Sequence, residues 1–190
     1  AERRRRHVTI VDKSNVLATS KFWRRIAGEI AQDYPDVTVD YFYVDAMTMA
    51  IMAKPAQFDV VITPNLFGDI LSDEAAQITG SIGQIPSMSV GVDGPNLYEP
   101  IHGSAPDIAG QGIANPISMV KTVAMMMRES FTETVIADWI DAAVDYVIAE
   151  HAVTPDMGGQ MTTTEVVNKM VDYLSRNDHV GVREYEQNVI

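Results

Sequence analysis

Apolar and polar positions in the first part of the chain follow two different periods. Apolar residues at helical spacing, Trp23, Ile26 and Ile30, predict a helix from about Ser20 to Asp33. Short apolar runs predict two strands, His7–Val11 and Val60–Ile62. The alternating stretch from Val37 to Phe42 predicts another strand between them, which stops at Asp45. Strands and helices therefore alternate in this part.

The stretch from Phe58 to Asp73 combines a strand, a turn and the start of a helix. Pro64 and Asn65 are expected to end the strand, and Gly68 is expected to allow a tight turn. Asp69 is then expected to cap the helix that follows, because a carboxylate at a helix start accepts hydrogen bonds from free backbone N–H groups.

Composition changes at Gly80. The segment from Gly80 to Gly112 is rich in glycine and proline and predicts a loop with short extended pieces, and loops of this length are often functional. Three amphipathic segments then predict helices: Ile117–Ser130, Ile136–Ala152 and Thr164–Ser175. The last residues, 176–190, are polar and predict a loose tail. Alternating strands and helices followed by helices alone predict an α/β fold.

Charge and composition exclude several classes of protein. The 190 residues carry a net charge of −12, which argues against a general nucleic-acid binder. There is no cysteine, so disulfides and thiolate metal sites are excluded, and no apolar run approaches the roughly 20 residues of a membrane span. The Arg3–Arg6 run is either a basic patch or the last turn of an upstream helix. The acidic remainder favours the second, which implies the later part of a longer protein.

Three aspartates are candidate metal ligands. Asp69 and Asp73 are four residues apart, so on a helix both carboxylates point the same way, and they repel unless a cation lies between them. Mg²⁺ or Mn²⁺ suits such oxygen ligands. Asp45 follows a predicted strand and is expected to cap a short helix, Ala46–Ala53. The alternative is that Asp69 and Asp73 are a cap and a solvated acid.

Lys13 is a candidate base. It lies at the end of the first predicted strand, between Asp12 and Asn15. A lysine in a dry site can lose its proton near neutral pH and accept one from a substrate. The alternative is a surface lysine paired with Asp12, and the spacing alone favours this alternative.

A third candidate site is the segment 98–116. Small residues at Gly103–Ala105 let backbone N–H groups approach a pyrophosphate, and His102 offers a ring that can stack or hydrogen-bond. Asp107 suits the hydroxyls of a ribose. The segment is no G-x-G-x-x-G fingerprint, so a Rossmann fold is not indicated. A glycine- and proline-rich structural loop with a buried histidine is the alternative.

At these residues the sequence resembles the metal-dependent, decarboxylating β-hydroxyacid dehydrogenases, the family of isopropylmalate, isocitrate, homoisocitrate and tartrate/malate dehydrogenases. The likeness runs from Val8 to about Leu174. The matching pieces are Val11–Val16, Tyr43–Ala46, Phe58–Gly83, Tyr98–Pro116 and Asp156–Gly159. Within the family, Asp73–Ala76 and Thr79–Gly83 look most like 3-isopropylmalate dehydrogenases.

The resemblance implies a role for each matching residue. Asp69 and Asp73 would hold Mg²⁺ or Mn²⁺, joined by Asp45 from the partner subunit of a homodimer. Lys13, also contributed across the dimer, would be the catalytic base. The cofactor NAD would be bound by the following residues: Asn65 near substrate and nicotinamide, Glu99 by the nicotinamide end, His102, Gly103, Ser104 and Ala105 as its cradle, Asp107 on the adenosine ribose and Asn115 at the adenine. A carboxylate at Asp107 would favour NAD over NADP.

The resemblance also implies an isopropylmalate dehydrogenase-like two-domain α/β fold that is incomplete in this chain. Residues 1–79 would be the later part of the small, dimerisation domain, and residues 80–190 the C-terminal part of the large, cofactor-binding domain. The implied activity is oxidative decarboxylation of 3-isopropylmalate in leucine biosynthesis, in the cytoplasm, with no nucleic-acid or membrane partner. The alternatives are a tartrate/D-malate or homoisocitrate dehydrogenase, or a truncated chain that binds nucleotide or a partner without catalysis.

Overall fold

A computed structural model describes residue 1 and residues 4–176 of the chain. Glu2, Arg3 and almost all of the predicted polar tail, 177–190, lie outside the described residues. The chain divides into two compact units, Ala1–Ile78 and a second unit that begins at Thr79. The assignment of these units to a dimerisation and a cofactor-binding domain stays a prediction.

The first unit alternates strands and helices, as the hydrophobic pattern predicts. Its elements are β1 (His7–Asp12), α1 (Ala18–Ala31), β2 (Thr38–Tyr43), α2 (Val44–Ala53), β3 (Val60–Ile62) and α3 (Asn65–Thr79). The strands form a parallel sheet of order β2-β1-β3, in which Ile10 lies opposite Tyr41 and Ile62. Because the strands are parallel, the residues that follow β1 and β2 emerge at the same edge of the sheet.

Apolar side chains hold the first unit together. Val11, Met47 and Leu71 are buried, and Phe42 and Phe58 pack against them with their rings edge to face at 5.6 Å. The core therefore joins β1 to α2 and α3, and it fixes the strand ends from which the candidate site residues project.

The predicted turn at Gly68 and the predicted cap at Asp69 are wrong. Helix α3 begins at Asn65, and the carbonyl of Pro64 accepts a hydrogen bond from the Gly68 N–H at 2.9 Å. The first helical turn therefore closes before Asp69 is reached. The helix does not require glycine at this position, because a Cβ added at Gly68 would meet only Thr63, at an ordinary contact distance.

The predicted cap at Asp45 is also wrong. Helix α2 begins at Val44, directly after β2 ends at Tyr43, and no side chain caps its start. Asp45 instead lies inside the first turn, where the helix dipole favours a negative charge. Its carboxylate accepts a side-chain hydrogen bond from Lys13.

Arg4 and Arg5 of the N-terminal arginine run have structural partners. Arg4 Nε donates to Asp59 Oδ1 at 2.7 Å, and Arg5 donates to the carbonyls of Ala56 and Phe58. The Asp59 side chain is 1% exposed. These contacts tie the segment before β1 to the segment before β3, which favours a structural role for Arg4 and Arg5 over a nucleic-acid patch.

Up to residue 176, where the description ends, the second unit has a hairpin and three α-helices. Its elements are β4 (Pro86–Ser89), β5 (Leu97–Pro100), α4 (Ile117–Glu129), α5 (Thr134–Ala149) and α6 (Thr163–Arg176). The predicted helices are present with their ends shifted by up to three residues. Strands β4 and β5 pair antiparallel, with Met88 opposite Tyr98, a pairing that the sequence did not predict. Apolar residues of α4, α5 and α6 form the core: Ile117, Val144, Val147, Val153 and Val166.

Candidate functional site

Lys13 and Asp45 form an ion pair where β1 and β2 end. Lys13 directly follows β1, and Asp45 lies in the first turn of α2. The distance from Lys13 Nζ to Asp45 Oδ1 is 2.5 Å. The hydrogen bond from Lys13 holds the pKa of Asp45 below its ordinary value of 3.8. The structure thus brings the predicted base into contact with one predicted metal ligand.

Asp12 does not pair with Lys13, so that alternative is wrong. Asp12 is completely buried, and it accepts hydrogen bonds from Arg24 Nε at 2.5 Å and Arg24 Nη2 at 3.0 Å. The Ser14 N–H donates to the same carboxylate at 2.7 Å. A buried carboxylate needs a cation and several donors, and Arg24 and Ser14 supply both. Asp12 therefore pairs with Arg24, and Lys13 pairs with Asp45 instead.

Tyr43 is a neighbour of Lys13 that the sequence did not single out. Lys13 Nζ lies 5.9 Å from the centre of the Tyr43 ring, and the Arg24 guanidinium lies 5.2 Å from it. Two cations therefore contact one aromatic ring, which attracts both. Its position could have indicated this role, because Tyr43 is the last residue of β2 and lies opposite Asp12, the last residue of β1.

Asp69 and Asp73 lie on one exposed face of α3, as their spacing predicts. Asn65 Nδ2 lies 3.4 Å from Asp69 Oδ2, so this amide lies beside the first aspartate. The two carboxylates offer oxygen donors, which suits Mg²⁺ or Mn²⁺. Across residue 1 and residues 4–176, no three His, Asp or Glu side chains come together to hold a metal, so Asp45 does not join these two within one copy.

The predicted cradle in the second unit is exposed. Glu99 lies in β5, and a Cβ added at Gly103 would meet no heavy atom within 4 Å. Ala105 has φ 42° and ψ 61°, a left-handed conformation that can turn successive N–H groups toward an anion. His102 Nδ1 lies 2.9 Å from the Gly103 carbonyl, and Asp107 is exposed in a single 3₁₀ turn. Open backbone at Gly103, Ser104 and Ala105 fits a nucleotide phosphate.

Asn115 ends this segment and uses both ends of its side-chain amide. Its Nδ2 donates to Asp156 Oδ2 at 2.8 Å, and its Oδ1 accepts from the Ile117 N–H at 3.0 Å. Asp156 belongs to a matching motif but had no predicted role. The amide of Asn115 is therefore engaged within the second unit.

The predicted site residues divide between the two units. Lys13, Asp45, Asn65, Asp69 and Asp73 belong to the first unit, whereas Glu99, residues 102–107 and Asn115 belong to the second. In the described part of the chain, no helix has both the length and the apolar character needed to cross a membrane.

Comparisons with known proteins find matches over most of this chain. The family model described as isocitrate/isopropylmalate dehydrogenase matches residues 1–171. The 3-isopropylmalate dehydrogenase of Streptococcus thermophilus is 54% identical over 174 residues, which are 92% of this chain and 50% of that protein. The 3-isopropylmalate dehydrogenase of Listeria monocytogenes is 54% identical over 171 residues, 90% of this chain and 49% of that protein. The chain thus spans about half the length of the curated relatives it matches.

Solved structures confirm the fold that the resemblance implied. The isocitrate dehydrogenase from Methylococcus capsulatus matches with a TM-score of 0.84 and 42% identity, over 88% of this chain and 50% of that one. A β-decarboxylating dehydrogenase from Thermococcus kodakarensis matches with a TM-score of 0.78 and 41% identity, over 92% of this chain and 51% of that one. The α/β fold is therefore present, and it corresponds to about half of each matched structure.

Proposed function

The chain belongs to the isocitrate/isopropylmalate dehydrogenase family, and from this premise we propose that the full-length protein carrying it oxidises and decarboxylates 3-isopropylmalate with NAD and Mg²⁺ or Mn²⁺, in leucine biosynthesis. The observation that carries the proposal is the 54% identity to a 3-isopropylmalate dehydrogenase over 92% of this chain. Because only about half of that relative is covered, the activity is proposed for the full-length protein.

Asp69 and Asp73 are the proposed metal ligands of this chain, and Asp45 of the partner subunit is the proposed third. Two exposed carboxylates on one helix face support this assignment, since they supply oxygen ligands on the same side of α3. When bound, Mg²⁺ or Mn²⁺ would polarise the hydroxyl and the neighbouring carboxylate of the substrate.

Lys13 is the proposed base that takes the proton of the substrate hydroxyl. A lysine can do so only as a neutral amine. In the structure Lys13 Nζ donates to Asp45 Oδ1 at 2.5 Å, so the proposed base contacts a carboxylate that is itself a proposed metal ligand.

The segment from Glu99 to Asn115 is the proposed binding site for NAD, which would accept the hydride from the substrate carbon. Exposed backbone at Gly103 and the left-handed Ala105 support a contact with the pyrophosphate. Asp107 is exposed and presents a carboxylate, which suits two ribose hydroxyls and repels a 2′-phosphate. The same charge supports NAD over NADP as the cofactor.

A homodimer is proposed as the active assembly. Five large apolar side chains on α2 and α3 are exposed in the single copy: Met49, Met52, Leu66, Ile70 and Ile78. Such a set of exposed side chains on neighbouring elements is typical of a surface that another protein covers. A second copy would cover it and would bring its own Lys13 and Asp45.

The test compares substrates in the full-length protein. We expect reduction of NAD with 3-isopropylmalate and Mg²⁺, a kcat/KM at least about tenfold above that for D-malate, and loss of turnover on chelation. A clear preference for D-malate, tartrate or homoisocitrate would overturn the substrate assignment, and full activity in a chelator would overturn the metal assignment. The isolated 190-residue chain should reduce no NAD under these conditions, because it corresponds to only half of the active relatives.

A further inference from the structure

We propose that Asp156 is a positioning residue for the nucleotide-binding segment, which fixes Asn115 and thereby sets the affinity for NAD. The inference rests on the proposed function, since it assumes that residues 99–115 bind the nucleotide. Asp156 lies in a single 3₁₀ turn, Pro155–Met157, before α6, and so belongs to neither the proposed cradle nor the proposed metal site.

Three side chains donate hydrogen bonds to this one carboxylate, two of them from distant segments of the second unit. Asp156 Oδ2 accepts from Ser81 Oγ at 2.5 Å and from Asn115 Nδ2 at 2.8 Å, and Asp156 Oδ1 accepts from Thr154 Oγ1 at 2.5 Å. Both hydroxyl residues are buried. Partial burial raises the pKa of Asp156, but the three hydrogen bonds outweigh it and keep that pKa below its ordinary value. The group is therefore a carboxylate at neutral pH, which can only accept.

The carboxylate fixes which way the Asn115 amide points. Nδ2 must face Asp156 because a carboxylate needs a donor, and Oδ1 then faces the N–H of Ile117, the first residue of α4. A flipped amide would place its NH₂ group against that N–H and its oxygen against the carboxylate, leaving neither hydrogen bond. Asp156 thus joins the end of the nucleotide-binding segment to the start of α4 in one orientation.

Close packing and two further hydrogen bonds also hold residues 112–115, the end of the nucleotide-binding segment. A Cβ added at Gly83 would lie 2.8 Å from Asn115 Cβ, so the chain beside Ser81 passes directly against Asn115. On the other side, the Thr163 N–H donates to the Gly112 carbonyl at 2.8 Å, and Thr163 Oγ1 donates to the Ala114 carbonyl at 2.5 Å. Residues 112–115 are held from both sides, and Asp156 supplies the charged contact among these.

A double-mutant cycle in the full-length enzyme tests the proposal. Asn115→Asp places two carboxylates within hydrogen-bond distance, and we expect it to raise the KM for NAD about tenfold or more. Asp156→Asn keeps a neutral acceptor and should raise this KM by a smaller factor. The double variant puts an amide at 156 and a carboxylate at 115, which restores a donor–acceptor pair with reversed polarity. Adding Asp156→Asn to Asn115→Asp should therefore recover most of the lost NAD affinity.

The readouts separate positioning from plain stability and from direct contact. Affinity for NADH is measured by fluorescence alongside KM and kcat, and Asp138→Asn is the matched control, since it also removes a carboxylate that accepts a hydrogen bond. We expect the control to leave the KM for NAD unchanged. Lower thermal stability with unchanged NADH affinity in the Asp156 and Asn115 variants would overturn the proposal. So would a double variant no better than Asn115→Asp, because positioning through the Asp156–Asn115 hydrogen bond requires that restoring the pair also restores NADH affinity.

The cycle also distinguishes this inference from the proposed function. A wild-type enzyme that binds NADH but prefers another hydroxy acid would remove the substrate assignment and leave the NADH measurements as a valid test of Asp156. A wild-type enzyme that binds no NADH would overturn both, whereas an active enzyme whose cofactor affinity does not respond to Asp156 would overturn only the inference.

Discussion

Removal of the Arg24 side chain should destabilise the first unit more than any other single change at its charged surface. In the described part of the chain, Arg24 is the only cation in an ion pair with Asp12, whose side chain is completely buried. Arg24→Met keeps much of the apolar stem but leaves the carboxylate with one donor, the Ser14 N–H. Breaking a buried pair in this way costs about 3–5 kcal/mol.

The structure places the expected value near the lower end of that range. The Arg24 side chain is 28% exposed, so water screens part of the pair with Asp12. Against this, Arg24 also contacts the rings of Tyr41 at 4.9 Å and Tyr43 at 5.2 Å, and each such contact contributes about 0.5–1 kcal/mol. We therefore expect a loss of about 3 kcal/mol in the free energy of unfolding of this unit.

Hydrogen exchange of the β1 amides in the full-length protein measures this loss locally. Arg25→Met is the matched control, because Arg25 is exposed on the same helix and its pair with Glu29 is worth about 0.5 kcal/mol or less. Asp12→Asn combined with Arg24→Met removes both charges and should recover part of the loss. Equal effects of Arg24→Met and Arg25→Met, or no recovery in the double variant, would refute the reasoning.

Two further predictions concern carboxylates of the first unit. Asp73→Asn in the full-length enzyme should raise the Mg²⁺ concentration needed for half-maximal activity at least about tenfold and should lower kcat. The control Asp36→Asn removes an exposed acid outside the site and should change neither value. An unaltered metal titration in Asp73→Asn would show that Asp73 is not a ligand. Burial raises the pKa of Asp59, but hydrogen bonds from Arg4 and the His7 N–H keep it below 3.8 in the fold. A lowered pKa stabilises the fold above pH 3.8, and this effect is lost as the pH falls through the folded value. Asp59→Asn should therefore lower the urea midpoint at pH 7, and its gap to wild type should narrow as the pH falls below 3.8. A gap that does not change with pH would contradict this.

The sequence predicts the elements of the first unit well because their signals are local. β-branched runs place β1 and β3, and the spacing of Trp23, Ile26 and Ile30 places α1 to within two residues at each end. The first residues of helices are harder to predict from the sequence. The start of α3 depends on the carbonyl of Pro64 reaching the Gly68 N–H, and a sequence that contains Asp69 nearby offers a more familiar cap signal.

Pairings between distant residues account for what the sequence could not predict. The β4–β5 hairpin has no short turn signal, because seven residues separate Ser89 from Leu97 in a proline- and glycine-rich segment. The site shows the same limit. Lys13 and Asp45 are each recognisable at a strand end, but their contact depends on the parallel register of β1 and β2. Asp156 is 41 residues from Asn115, and no local pattern relates the two.

The left-handed backbone at Ala105 has a thermodynamic consequence for the proposed cofactor site. A residue with a Cβ loses of order 1 kcal/mol in this conformation, a cost that the protein meets before any nucleotide arrives. Conformational entropy that is already lost in the free protein does not have to be lost on binding. The left-handed Ala105 would therefore lower the stability of the nucleotide-free protein and tighten the complex with the nucleotide. A glycine at position 105 would restrain the backbone less and would not have this effect.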